Sequence, residues 1–206
     1  MKVQEMNHKS SQVPSGIHIE HLCKSYGSEQ VLCDLSLSLD SGKTYCLMAP
    51  SGTGKTTLFR ILMGLEEADS GQIHGLDQIR IASVFQEDRL LEGYTALENL
   101  QFVTGRQYSG KELTSLLLRL LPPESLTKPV CEFSGGMKRR TAILRAILAP
   151  SDFIIMDEPF TGLDEETKLT VIQLIREYTD SKLLLFSTHN PVDAELLCAE
   201  HISLAR

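Results

Sequence analysis

One segment governs the interpretation of this sequence: Ala49-Pro50-Ser51-Gly52-Thr53-Gly54-Lys55-Thr56-Thr57. It follows a strand-like run over 44–48 and precedes a helix-like run over 58–64, the order that a phosphate-binding loop requires. Its glycines let the backbone turn N–H groups toward an anion, and the following helix adds its positive N-terminal end. Lys55 can reach the outer phosphates, and the Thr56 hydroxyl can ligate Mg²⁺.

The segment departs from the pattern G-x-x-x-x-G-K-[ST] at its first position, where Ala49 replaces glycine. A turn that binds nothing is the alternative interpretation, and the flanking elements and the motifs downstream argue against it. Only a positive φ would exclude alanine there, so the backbone angle of Ala49 decides whether the substitution matters.

The bulk properties narrow the class of protein. A chain of 206 residues suits one domain, and 42% hydrophobic residues suffice for a sizeable core. A net charge of −7 argues against a nucleic-acid surface, and the basic cluster 138–140 is better explained by local pairing or a phosphate neighbour. No apolar run reaches the length of a membrane span, so a membrane role needs another subunit.

The cysteines indicate a reducing compartment. Their number is odd and no two form a C-x-x-C pair, so we predict reduced core residues of a cytoplasmic protein. These residues are Cys23, Cys33, Cys46, Cys131 and Cys198.

Residues 1–16 are polar and are predicted to form a flexible tail ahead of a single domain over 17–206.

The order of the predicted elements indicates an α/β fold. Strand patterns over 17–23 and 31–40, joined by a short turn, predict an N-terminal antiparallel β-subdomain. The apolar runs 153–156 and 183–186 are typical of buried strands in a parallel sheet. Ahead of these runs, capping boxes at 95–98 and 109–112 each predict the start of a helix. Residues of about 87–133 are therefore predicted to form an inserted helical subdomain.

Two carboxylates follow the apolar run 153–156 directly. In a parallel sheet, Asp157 and Glu158 would lie at the edge where the phosphate loop also emerges. Strand alternation sends their side chains in different directions. We therefore predict that Asp157 holds Mg²⁺ and its water shell, and that Glu158 polarises an attacking water. A solvated acidic turn is the alternative.

A second glycine motif, Ser134-Gly135-Gly136, precedes another helix and has the same capacity to hold an anion, although such triplets are also common in loops. One γ-phosphate is not easily contacted by both motifs within one compact domain. A two-fold dimer resolves this if each nucleotide lies between Lys55 of one subunit and Ser134 of the other. His189 follows a buried strand and is predicted to contact the γ-phosphate, with a purely structural histidine as the alternative.

Taken together, these motifs resemble those of the ATP-binding cassette (ABC) ATPases over about residues 17–204. They come in the family's order: an aromatic turn (Tyr26), a Walker A loop (49–57), a Q-loop (Gln86), a signature (133–137), a Walker B strand (153–157) with Glu158, a D-loop (161–164) and a switch histidine (His189). The resemblance implies a P-loop NTPase (RecA-like) fold that uses ATP and Mg²⁺. The signature departs from L-S-G-G-Q at Phe133 and Met137, while its serine and glycines are intact.

The resemblance also implies a role for each matching residue. Tyr26 would stack on adenine, Gln86 would contact the metal or water and signal to a membrane partner, and Asp164 would act across the dimer interface. The implied catalytic residues are Glu158, His189, Gln86 and Lys55, and the metal site comprises Thr56, Gln86 and Asp157. The implied nucleotide contacts are Tyr26, Pro50, Ser51, Gly52, Thr53, Gly54, Lys55, Thr56, Thr57, Ser134, Gly135, Gly136 and Asp164.

The segment from Val84 to Leu91 resembles importer ATPases, especially the nitrate, sulfonate and taurine group. The implied protein is an ATPase subunit on the cytoplasmic face of the cell membrane that forms a head-to-tail homodimer on ATP. It would drive solute import through separate integral membrane permease subunits. A substrate-binding protein is a further candidate partner, and no nucleic acid is expected.

Two other functions stay open at this point. A non-transport ABC ATPase would act on DNA, ribosomes or a soluble assembly complex. Ribosome-acting members need two cassettes, DNA-repair members carry a long coiled coil that residues 54–130 cannot contain, and the acidic charge opposes both. A soluble scaffold partner is not opposed by these features. The third hypothesis, a nucleotide-binding module without turnover, is motivated by Ala49 and Met137.

Overall fold

The computed structural model of the chain describes residues 16–50, 52–77 and 79–204. The predicted flexible tail therefore lies outside the described residues except for Gly16, and so does Ser51 of the phosphate loop.

Strands predominate in the N-terminal part of the described chain, and helices and strands alternate only after residue 134. Their bounds are β1 (Gly16–Tyr26), β2 (Glu29–Asp40), β3 (Thr44–Leu47), α1 (Lys55–Leu62), β4 (Ser70–His74), β5 (Ile81–Val84), α2 (Ala96–Thr104), α3 (Gly110–Leu118), α4 (Gly135–Leu148), β6 (Phe153–Met156), α5 (Glu165–Thr179), β7 (Leu183–Ser187), α6 (Pro191–Leu196) and β8 (Glu200–Ile202). Short 3₁₀ turns occupy Pro123–Ser125 and Val130–Glu132.

An antiparallel sheet with the order β2-β1-β4 confirms the predicted β-subdomain, and β4 joins it from beyond the phosphate loop. One detail of the prediction is wrong. Tyr26 does not lie in the turn, because it ends β1 and pairs with Glu29. The ladder between β1 and β2 slips near Asp34, whose φ is +51°, so Leu32 is buried and Cys33 is exposed.

A parallel sheet with the order β5-β6-β7-β3-β8 forms the centre of the fold. All four residues of β6 are buried because both faces of this sheet are covered. Ile154 and Met156 pack with the helices α2 to α6 on one face, whereas Phe153 and Ile155 pack with α1 and the antiparallel sheet on the other. Successive side chains of β6 point to opposite faces of the sheet and thus pack into two separate cores.

The predicted helical insert lies between β5 and β6, which are adjacent strands of the parallel sheet. Both predicted capping boxes are present. Thr95 and Glu98 exchange hydrogen bonds at the start of α2, and Ser109 and Glu112 do so at the start of α3. None of the helices in the described ranges is both long and apolar enough to cross a membrane.

The cysteine prediction holds only in part. All five thiols are free, but Cys46 alone is fully buried. Cys33 is turned outward by the ladder slip, Cys131 lies in an exposed 3₁₀ turn, and Cys198 has a φ of +50° after α6. Local irregularities that the apolar pattern does not reveal therefore place these thiols at the surface.

Candidate functional site

The predicted phosphate loop joins β3 to α1. Gly52 and Gly54 have φ values of +80° and +93°, a region that residues with a side chain rarely adopt. A Cβ atom on Gly54 would also lie 2.9 Å from the carbonyl oxygen of Val31. Gly54 caps α1 without a side-chain hydrogen bond, and the first turn of α1 contains no acidic residue. The N-terminal end of α1 therefore keeps its positive potential for an anion.

Ala49 fits this loop. The described non-glycine residues with a positive φ are His21, Asp34, Arg89, Glu158 and Cys198, so Ala49 does not need the conformation that favours glycine. Its methyl group packs against the core beneath β3 and α1. The departure from the loop pattern is thus structurally neutral.

The buried Lys55 side chain crosses the loop from inside. Its Nζ atom donates hydrogen bonds to the carbonyl oxygens of Ala49, at 2.5 Å, and Pro50, at 3.0 Å. The hydroxyl of Thr53 donates to the same Pro50 oxygen at 2.8 Å. Because an ammonium has three N–H groups, one donor of Lys55 is left for a phosphate oxygen.

Asp157 joins three elements at the carboxyl edge of the parallel sheet. Its Oδ2 atom accepts from the Thr56 hydroxyl at 2.8 Å, and its Oδ1 atom accepts from the Ser187 hydroxyl at 2.7 Å. Ser187 also accepts the backbone N–H of Glu158 at 2.9 Å. Ser187 is not among the predicted site residues, although a polar residue that ends an otherwise apolar strand, beside the strand that carries Asp157, is a recognisable signal.

Glu158 has an uncommon backbone conformation and a separate set of partners. Its φ is +47°, which is strained for a residue with a Cβ atom and persists only where the surroundings impose it. One carboxylate oxygen lies 2.8 Å from Nε2 of His189, and the other accepts from the Thr161 hydroxyl at 3.4 Å. The side chains of Asp157 and Glu158 therefore serve different neighbours, as strand alternation predicts.

A cleft of about 320 Å³ opens at this edge. It is lined by Glu29, Val31, Gly52, Gly54, Lys55, Thr56, Thr57, Gln86 and Glu158. Gln86 also lines an adjoining cavity of about 170 Å³ together with Thr56 and Asp157. A larger cavity, about 770 Å³, lies by Thr44 at the opposite end of β3 and contains none of the predicted site residues.

The residues around Asp157 suit Mg²⁺. Hydroxyl, carboxylate and amide oxygens of Thr56, Asp157 and Gln86 border one cavity, and Mg²⁺ prefers oxygen ligands completed by phosphates and water. The glycine loop likewise suits a phosphate chain. The positive φ of its two glycines, which would strain a residue with a side chain, lets the backbone turn its N–H groups toward an anion. The donor set thus fits both predicted cofactors.

Ser134, Gly135, Gly136 and Asp164 do not line the cleft, and neither do Pro50 and Thr53 of the loop. Ser134 is exposed and caps α4, accepting the Met137 N–H at 3.3 Å, with Gly135 and Gly136 in the first turn behind it. Asp164 caps α5 by accepting the Thr167 N–H at 2.9 Å, and this bond lowers the pKa of its carboxyl group. These two helix starts adjoin each other, because a Cβ on Gly136 would lie 3.5 Å from the carbonyl oxygen of Gly162.

Tyr26 also lies outside the residues that line the cleft. Its hydroxyl donates to the carboxylate of Glu66, and Nζ of Lys24 lies 5.5 Å from its ring centroid. The side chain is 49% exposed, so part of the ring remains open for stacking.

Comparisons with known proteins show the family of the chain. A family model described as ABC transporter matches residues 32–161. The chain is 33% identical over 201 residues to the Nod factor export ATP-binding protein I of Ralstonia nicotianae, an alignment that covers 89% of this chain and 62% of that protein. It is 32% identical over 193 residues to the aliphatic sulfonates import ATP-binding protein SsuB of Corynebacterium glutamicum, covering 90% of this chain and 78% of that protein. The chain thus spans less than two thirds of the Ralstonia protein's length.

Solved structures show the same fold. The dimeric structure of MJ0796, a bacterial ABC transporter cassette, superposes with a TM-score of 0.77 at 27% identity, covering 91% of this chain and 94% of that one. A dimeric post-hydrolysis state of the same cassette, bound to ADP and Pi, superposes with a TM-score of 0.78 at 26% identity.

Proposed function

Because the chain belongs to the ABC transporter family, we propose that it binds and hydrolyses ATP as the motor subunit of a transporter. The observation that carries the proposal is the meeting of the Lys55 loop, Asp157 and Glu158 at one edge of the parallel sheet. These residues supply phosphate donors, an oxygen site for a cation and a carboxylate able to polarise water.

The chemistry divides among the residues at this edge. Lys55 and the N–H groups at the start of α1 hold the phosphates, and Tyr26 offers an aromatic face for a base. Thr56, Asp157 and Gln86 hold Mg²⁺, which neutralises charge on the phosphates when bound. Glu158 orients and polarises the attacking water, and His189 fixes the Glu158 carboxylate through the 2.8 Å contact.

A second subunit completes the site in this proposal. Ser134, Gly135 and Gly136 form a helix start with anion-binding capacity that lies outside the Lys55 cleft. Asp164 adjoins it through the contact between Gly136 and Gly162. In a head-to-tail homodimer, this surface would close over the partner's nucleotide. The cassettes to which the chain is similar are dimeric, which supports a paired assembly.

Integral membrane permease subunits are the proposed partners. The insert exposes Leu91, Tyr94 and Phe102, and the two aromatic rings meet edge to face at 5.2 Å. This apolar patch follows the Gln86 segment in the chain and suits a protein contact. We propose docking to the cytoplasmic end of a permease. The relatives include an export and an import protein, and the segment from Val84 to Leu91 favours import, for which a substrate-binding protein would be a further partner.

The test replaces the proposed catalytic carboxylate. Glu158→Gln should nearly abolish ATP hydrolysis, because a neutral amide polarises water poorly, while ATP binding persists and dimers accumulate. Turnover, nucleotide affinity and molar mass with Mg-ATP are measured on the full chain. Glu124→Gln, which changes an exposed glutamate of the insert, is the matched control and should leave all three unchanged. Wild-type turnover in Glu158→Gln would refute the role of Glu158.

A further inference from the structure

Side chains of α4, the helix that Ser134 caps, bind the segment after β5. The ladder with β6 ends where the Asp157 N–H donates to the Val84 carbonyl, and the carbonyl groups that follow need other donors. Two guanidinium groups of α4 provide them, about 9 Å apart along the helix axis. Arg139 donates to the carbonyl oxygens of Phe85 and Gln86, and Arg145 donates to those of Arg89 and Asp88.

Arg139 makes the tighter of these two contacts. Its side chain is 10% exposed, and its Nε atom lies 3.1 Å from Oδ1 of Asp88, a partly buried carboxylate whose pKa is raised by desolvation. One planar guanidinium thus faces two carbonyl oxygens and a carboxylate from a fixed direction. A lysine ammonium keeps the charge but cannot reproduce this fork.

The residue that Arg139 holds by its backbone reaches the nucleotide cleft. Gln86 lines both the cleft beside Lys55 and the adjoining cavity beside Thr56 and Asp157. Ser134 caps the N-terminal end of α4, about 7.5 Å along the axis from Arg139. One helix therefore joins the surface proposed for the partner's nucleotide to the segment that places Gln86.

We propose that Arg139 is a positioning residue. It holds Gln86 beside the metal site of the same subunit, at a place that is set by the position of α4. Contact of Ser134 with the partner's nucleotide is thereby communicated to the first subunit's own cleft. The inference rests on the proposed function, because it assigns Gln86 to the Mg²⁺ site and Ser134 to the partner's nucleotide.

The experiment compares two arginine-to-lysine changes in the full chain. Arg139→Lys removes the fork at the Gln86 segment. Arg119→Lys, the matched control, removes a two-bond pair with Glu177 (2.7 and 3.0 Å) that joins the end of α3 to α5. Turnover is measured against ATP and Mg²⁺, together with binding of a fluorescent ATP analogue and the melting temperature. Asp88→Asn, which keeps the shape of the carboxylate, is the second variant.

We expect kcat of Arg139→Lys to fall about ten- to a hundredfold, as misplacement of a site residue produces. The half-saturating Mg²⁺ concentration should rise, while analogue affinity measured without Mg²⁺ and the control's kinetics stay at wild-type values. Asp88→Asn should shift the Mg²⁺ dependence in the same direction by a smaller factor. A change in melting temperature alone would indicate a merely structural role and overturn the inference.

The role of Arg139 and the proposed function can be refuted separately. Wild-type turnover and Mg²⁺ dependence in Arg139→Lys, in a chain that Glu158→Gln inactivates, would overturn the role of Arg139 and leave the proposed function intact. A wild-type chain that binds ATP without turnover, with or without its permease, would overturn the proposed function and the inference with it.

Discussion

Removal of the Ser187 hydroxyl tests the polar network beneath the cleft. This hydroxyl is fully buried, donates to Asp157 at 2.7 Å and accepts the Glu158 N–H at 2.9 Å. Ser187→Ala therefore costs a hydrogen bond to a charged group, about 1.5–3 kcal/mol, and leaves a partly buried N–H without an acceptor, about 1–3 kcal/mol. Because such costs are not additive, we expect a loss of about 2–4 kcal/mol in the free energy of unfolding.

The assay is thermal unfolding of the nucleotide-free chain, followed by ATP turnover against Mg²⁺ concentration. For a chain of this length, the expected loss corresponds to roughly 5–15 °C in melting temperature. The half-saturating Mg²⁺ concentration should rise, because Asp157 loses one of the two groups that orient it. Ser125→Ala is the matched control: its buried hydroxyl donates to a neutral carbonyl, that of Pro122, so its loss should be about 1 kcal/mol. Equal destabilisation in both variants, with wild-type Mg²⁺ dependence, would refute the reasoning.

Two further predictions concern the glycine loop and the β-subdomain. Gly54→Ala should lower the free energy of unfolding more than Gly52→Ala in urea titrations. Both suffer left-handed strain of about 1–2 kcal/mol, but only a Cβ at Gly54 meets other atoms, at 2.8–2.9 Å; equal losses would argue against crowding. A hydrogen bond to Asp34 raises the pKa of His21 above 6.5, so this pair's stabilisation is complete below pH 6.5 and is lost as pH rises through the folded pKa. Asp34→Asn should return the pKa of His21 toward 6.5 in an NMR titration, and an unchanged midpoint would contradict the pairing.

Much of the fold follows from local sequence patterns. The uniform apolar run of β6 and the capping boxes at Thr95 and Ser109 are short-range signals, and the structure contains each of them. The predicted family and α/β fold are confirmed. The carboxyl edge also gathers Lys55 and Glu158, since parallel strands end on one side.

What the sequence did not reveal depends on contacts between distant segments. The pairing of β4 with β1 and the ladder slip at Asp34 are set by strand register, which a single strand's pattern does not contain. The basic cluster 138–140 is predicted to be explained by local pairing or by a phosphate neighbour. Arg139 instead pairs with Asp88, more than 50 positions away, because the insert folds α4 back against the segment after β5.

In the proposed function, each ATP site is shared between two copies of the chain. Lys55→Ala and Ser134→Glu each damage one half of that site, so either variant alone should be inactive. In a mixed dimer, one site combines both defects and the other combines an intact Lys55 loop with an intact Ser134 motif.

The decisive measurement is therefore the ATP turnover of an equimolar mixture of these two variants. The account predicts turnover in the mixture that neither variant shows alone. A mixture as inactive as its components, although mixed dimers form, would contradict a site completed by the partner subunit.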